Sequence, residues 1–143
     1  MKIKVRAKVH PTEDLGKLEE AIKNIFPKLK LSQTEDYLEG ESTNPEVLEH
    51  LKNQLGLQAI RDSARKALRS GREDNLIHFK INRQAATVSK VSFTEGETPL
   101  GPIEVEIQSK EPDLVTDYLT PRTREGKPVR KVTLEELKTT EEG

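Results

Sequence analysis

The chain has 143 residues, of which 32% are hydrophobic and 34% charged, with a formal net charge of −1. That length suits one domain with a proper core, and the charge balance argues against a generally basic nucleic-acid binder. The absence of cysteine excludes disulfides, thiolate catalysis and cysteine-ligated metal centres.

Residues 2–10 alternate strictly, with Ile3, Val5, Ala7 and Val9 on one face and Lys2, Lys4, Arg6, Lys8 and His10 on the other. A period of two predicts a half-buried strand. The same alternation lacks the continuous apolar run of a signal peptide, and no later stretch approaches the ~18 apolar residues of a membrane span. A cytoplasmic protein is therefore expected, and its many Lys and Glu with a single Met suit a thermophile.

Pro11-Thr12-Glu13-Asp14 reads as a helix start, with Thr12 as the cap and two acids at the positive end of the helix dipole. Leu15, Leu18, Ile22, Ile25 and Phe26 follow at helical spacing until Pro27. One bent or extended strand is expected within 28–42. Asn44 caps a second helix with Pro45 in its first turn, and Gly56 interrupts it. A third helix is expected from about Leu57 to Ser70, with Leu57, Ile60, Ala64, Ala67 and Leu68 inward and Gly71 as its stop. Period two returns at Ile77, Phe79 and Ile81. A short connection, Arg83 to Ala86, leads to a strand carrying Val91 and Phe93. The loop Thr94–Pro102 is expected to be mobile or turn-rich, and Ile103, Val105 and Ile107 mark the last strand. Pro112–Leu119 suits a short helix, and Thr133-x-x-Glu136 a capping box for another.

These elements predict an α+β fold in the order β-α-β-α-α-β-β-β-α. A largely antiparallel sheet would carry helices packed mainly on one face. Residues 1–120 form the single domain, and 121–143 a polar C-terminal extension that is partly ordered.

No catalytic motif is present. Gly96-Glu-Thr-Pro-Leu-Gly101 has the glycine spacing of a phosphate loop, but Pro102-Ile103 replaces the required Lys and Ser/Thr. His10, His50 and His78 lack metal-ligand spacing. No enzyme, cofactor or metal is expected.

Charge is nevertheless segregated. Leu31–Leu51 carries Glu35, Asp36, Glu39, Glu41, Glu46 and Glu49 without a Lys or Arg. Leu57–Arg72 carries Arg61, Arg65, Lys66, Arg69 and Arg72 against Asp62, and Arg122–Lys131 has five bases against Glu125. On the third helix Arg61, Arg65, Arg69 and Arg72 fall within roughly 80° of one another. Arginine forks held in line can track a phosphate backbone, or the row can be a solvated face paired with the acidic 31–51 segment. Lys4 and Arg6 are expected to meet Glu104 and Glu106 across a ladder, which neutralises the first strand's basic face. Phe79 and Phe93 share parity with aliphatic residues and read as core, so recognition by base stacking on the sheet is not expected.

His10-Pro-Thr-Glu-Asp14, Ile25-Phe-Pro27, Gln58-Ala-Ile-Arg-Asp-Ser-Ala-Arg-Lys-Ala-Leu68, Asn82-Arg-Gln-Ala-Ala86, Leu100-Gly-Pro-Ile103 and Tyr118-Leu-Thr-Pro-Arg-Thr123 occur in consistent order over most of residues 1–130. Together they resemble a small uncharacterised archaeal protein family. That resemblance implies a fold like the large-subunit ribosomal protein that binds 5S ribosomal RNA, a homodimer, and RNA binding. The leading expectation is an RNA-binding protein that contacts phosphates through Arg61, Arg65, Arg69 and Arg72, with Lys80, Asn82 and Arg83 as secondary candidates. The competing one is a dimeric interaction or assembly module whose complementary segments pair across a two-fold interface.

Overall fold

The computed structural model describes residues 1–95 and 100–142. The chain runs through β1 (Lys2–Lys8), α1 (Leu15–Ile25), β2 (Ser32–Gln33), β3 (Tyr37–Ser42), a 3₁₀ turn (Pro45–Leu48), α2 (Glu49–Leu57) and α3 (Arg61–Ser70). It continues through β4 (Arg72–Glu73), β5 (Leu76–Ile81), α4 (Arg83–Thr87), β6 (Ile103–Gln108), α5 (Pro112–Leu119), the β7–β8 hairpin (Thr123–Arg124 and Lys127–Pro128) and α6 (Leu134–Glu142). Six strands form one antiparallel sheet in the order β2-β3-β1-β6-β5-β4, so the expected α+β class holds.

The strand alternation decides which face is covered. Ile3, Val5 and Ala7 of β1 align with Ile107, Val105 and Ile103 of β6, which align in turn with Ile77, Phe79 and Ile81 of β5. All nine side chains are buried, and the helices supply the opposite half of this core through Leu18, Ile22, Leu51, Leu55, Leu68 and Val115. Each such aliphatic side chain contributes about 1.5–3 kcal/mol when withdrawn from water. Gly40 opposes Val5 in β3, and a Cβ there would lie 2.6 Å from the Lys30 carbonyl oxygen. Glycine thus lets residues 29–30 cross closely over β3 and seat Leu29 in the core.

The other sheet face is a charge lattice. Arg6 stands between Glu39 and Glu104, and Lys4 between Glu41 and Glu106. Arg6 Nε donates to Glu104 at 3.0 Å, while Lys4 Nζ lies 3.8 Å from Glu41. The expected cross-strand pairing of β1 is present for Arg6 and Glu104, while Lys4 turns to Glu41 of β3 instead of Glu106 of β6.

Several local expectations are corrected. Asp14, not Thr12, caps α1, accepting from the backbone N–H groups of Gly16 and Lys17. Residues 83–86 are not a connection: Asn82 accepts from Ala85 N–H and starts α4, where two alanines favour the helix. No strand follows at Val91–Phe93, where Phe93 makes only an isolated bridge to Ile81. Leu57, expected inward, is 83% exposed. The left-handed turn at Ala59 (φ 56°) delays α3 until Arg61. The central residues 96–99 of the Thr94–Pro102 loop, including most of the phosphate-loop-like stretch, lie outside the described residues.

Beyond residue 120, Val132 and Leu137 are buried in the same core. Lys138 Nζ donates to Glu46 at 2.8 Å and ties α6 to the 3₁₀ turn. No helix among the described residues is long and apolar enough to cross a membrane.

Candidate nucleic-acid interface

The rotation of α3 is set by Ala64 and Leu68, both fully buried. With those two inward, Arg61, Arg65 and Arg69 lie on one flank, and Ser63, Lys66, Ala67 and Ser70 on the other. The arginine flank faces α5 and the chain after it. Arg65 Nη1 donates to Asp117 Oδ1 at 2.8 Å and to the Thr120 carbonyl at 2.9 Å, leaving its side chain 15% exposed. Arg72, expected in the helical row, stands instead on β4 after the Gly71 stop and pairs with Asp113. Arg61 lays its guanidinium against Gly56 of α2.

The row is therefore partly neutralised, but not by the segment expected to do so. Glu35 and Asp36 lie in the β2–β3 connection and Glu39 and Glu41 on β3, at the end of the sheet remote from β5, beside which α3 packs. Glu41 serves Lys2 and Lys4, and Glu46 serves Lys28 and Lys138. The acids that reach this row come from α5, Asp117 lying 52 residues beyond Arg65 and Asp113 41 residues beyond Arg72.

The same contacts bring the second basic segment to α3. Thr123 Oγ1 donates to Asp62 at 2.7 Å, so the β7–β8 hairpin stands at the start of the helix. A polar groove of about 710 Å³ beside α3 and α5 sets Arg65, Arg69, Arg72 and Arg122 against Asp74, Asp113 and Asp117. Among the described residues Lys66, Arg69 and Arg122 form no ion pair, and all three are exposed. Lys52 extends the positive field. Its ammonium lies 5.2 Å from the centroid of the buried Tyr118 ring. Burial, then the charges of Lys131 and Arg61, hold it below the ordinary lysine range, against Glu49.

The secondary candidates separate from this surface. Lys80 is half-buried on β5, in line with Glu104. Asn82 is occupied in capping α4. Arg83 is corrected outright, because its side chain is 5% exposed and turned inward. Its Nη1 donates to both Glu13 oxygens at 2.8 and 2.7 Å, and Nη2 donates to the Lys8 carbonyl at 2.8 Å. Such a guanidinium ties α4 to β1 and cannot meet a phosphate on the surface.

Sequence reasoning missed Arg122 as a partner of the helix, although the charge run containing it was visible. Nothing local signals that residues 120–123 return to α3. Among the described residues no three His, Asp or Glu side chains gather as a metal site.

A model of a protein family described as RNA binding matches residues 2–109. A UPF0201 protein of Thermococcus onnurineus is 38% identical over 131 residues, covering 89% of this chain and 96% of its own. One from Sulfurisphaera tokodaii is 39% identical over 134 residues, covering 90% and 92%. The crystal structure of a UPF0201 protein from Methanococcus jannaschii superposes with a TM-score of 0.81 at 35% identity, over 91% of this chain and 100% of that one.

Proposed function

The chain belongs to the UPF0201 family, whose matching model is described as RNA binding, and from that footing we propose a non-enzymatic RNA-binding protein that grips backbone phosphates through α3 and Arg122. The observation that carries the reading is the meeting of two basic segments on one surface, with α5 acids enough for only part of them. Arg61, Lys66, Arg69 and Arg122 are the contacts. Arg65 acts through Asp117 to hold α3 against α5, and Arg72 through Asp113 to hold β4 there. A row of cations on a rigid helix reads spacing along a backbone, which carries register but little base identity.

The likeness to a 5S-rRNA-binding ribosomal protein that the family resemblance implies makes structured ribosomal RNA the first ligand to try. A homodimer, implied in the same way, would present two such faces to one RNA and gain by avidity. Fluorescence anisotropy with that RNA over a range of salt tests the reading. Lys66→Glu with Arg69→Glu should weaken binding at low salt by more than tenfold. It should also flatten the plot of log affinity against log salt by about two contacts' worth of slope. No binding at low salt, or binding indifferent to the double variant, refutes it. Solution mass at rising ionic strength follows the dimer independently.

A further inference from the structure

The second flank of α3 borders a different kind of space. Ser63, Lys66, Ala67 and Ser70 face the outer edge of β5 across a groove of about 430 Å³, with Phe79 and Phe93 within it. The edge is clamped at two points. At one end His78 N–H donates to the Gly71 carbonyl at 2.9 Å, and at the other Thr94 N–H donates to the Lys80 carbonyl at 3.0 Å. Between these clamps no strand among the described residues covers β5, and the groove opens there.

Its depth depends on Gly71. A Cβ at that position would come within 1.7 Å of the His78 carbonyl oxygen, so only glycine lets the end of α3 turn this tightly onto β5. Its floor is aromatic. The Phe93 ring sits 5.7 Å from Phe79 with an interplanar angle of 59°, and Phe79 is buried while Phe93 keeps an exposed portion. Glu95 lines the groove, as does Lys66, which forms no ion pair among the described residues. Lys66 also lines the surface shared with Arg65 and Arg69, which makes the groove continuous with the basic face.

We propose that this groove seats one unpaired nucleobase of the bound RNA, stacked on Phe93, while its adjoining phosphate lies on Lys66; the inference rests on the RNA-binding reading above. An aromatic floor supplies stacking that every base accepts. Glu95 supplies an acceptor for an exocyclic amino group of the kind a carboxylate takes from cytosine. The volume falls in the range of small-ligand sites, which are concave, mostly apolar and rimmed by a few polar groups. A basic row alone would hold duplex and loop alike, whereas this groove favours RNA with a base free of its partner.

The test uses two RNAs of equal length, a hairpin with 2-aminopurine in its loop and a fully paired duplex. Wild-type protein should change the loop fluorescence and bind the hairpin about tenfold more tightly than the duplex. Phe93→Leu should abolish the fluorescence change and that preference while leaving duplex affinity and its salt slope intact. Ser63→Ile, on the exposed helix flank, should do the same by filling the groove, and decides the matter should Phe93→Leu fold poorly. Equal binding of both RNAs with a silent probe, or an unaltered preference in the Ser63 variant, overturns the base seat alone. No binding of either RNA at low salt overturns the phosphate reading with it.

Discussion

Arg83 offers the sharpest test of how this chain uses its charges. The arginine and Glu13 are 5% and 12% exposed, and the guanidinium makes three charge-assisted hydrogen bonds, two to the carboxylate and one to the Lys8 carbonyl. Arg83→Met would leave the Glu13 carboxylate and the Lys8 carbonyl without their principal donor in a place water barely reaches. Removing one partner of such a pair costs about 3–5 kcal/mol, because the remaining charge stays buried. Replacing both, as Glu13→Leu with Arg83→Met, should recover most of that loss, since the desolvation cost of the two ions disappears together. Chemical denaturation of the wild type, both single variants and the double gives the coupling energy directly. Nη1 and Nη2 carry all three bonds, while the buried Nε has no partner. Arg83→Lys should therefore fail to restore stability, as a single ammonium cannot replace the fork. Should Arg83→Met shift stability by less than about 0.5 kcal/mol while weakening RNA binding tenfold, the side chain is a surface phosphate contact and the inward assignment is wrong.

Two further outcomes follow from close packing and from titration. Gly71→Ala pushes a methyl group onto the His78 backbone, and overpacking of this kind should cost about 1–3 kcal/mol in denaturation measurements; an unchanged midpoint would show that α3 can lift off β5 freely. Burial, and secondarily the charge of Glu49, raises the Tyr118 phenol from 10.0 to about 12. A raised folded-state value contributes stability that is full below pH 10 and lost as pH climbs from 10 towards 12, here about 2–3 kcal/mol. Tyr118→Phe should remove that part of the pH dependence while keeping the packing, and identical high-pH profiles for the two proteins would refute the assignment. Lys52 titrates with the opposite sign, its depressed value making stability rise with pH below the lysine range, so the comparison with the phenylalanine variant isolates the phenol.

How much of this was legible beforehand depends on the range of the interactions involved. β1 and β6 could be read from their period of two, and their charge pairing followed once they were taken as neighbours, because alternation puts Lys4 and Arg6 on the face of Glu104 and Glu106. The arginine row of α3 was equally visible, being a matter of 100° per residue. Local competition was harder to judge. Asn82 could begin a turn or cap a helix, and the capping bond to Ala85 decided it. Phe93 shared parity with aliphatic residues and so read as core, yet it closes a groove because the chain makes only one bridge to β5 there.

By itself the sequence determined the α+β class, the covered face of the sheet and the flank on which the arginines stand, since each follows from a repeat of two or 3.6 residues along the chain. Tertiary structure alone decided which cations remain free. Asp117 reaches Arg65 of α3 and Asp113 reaches Arg72 of β4 across more than forty residues, Glu13 reaches Arg83 across seventy, and Arg122 returns to the helix only because Thr120 and Thr123 bond there. Pairing between charges depends on distance in space, and no periodicity along the chain records it.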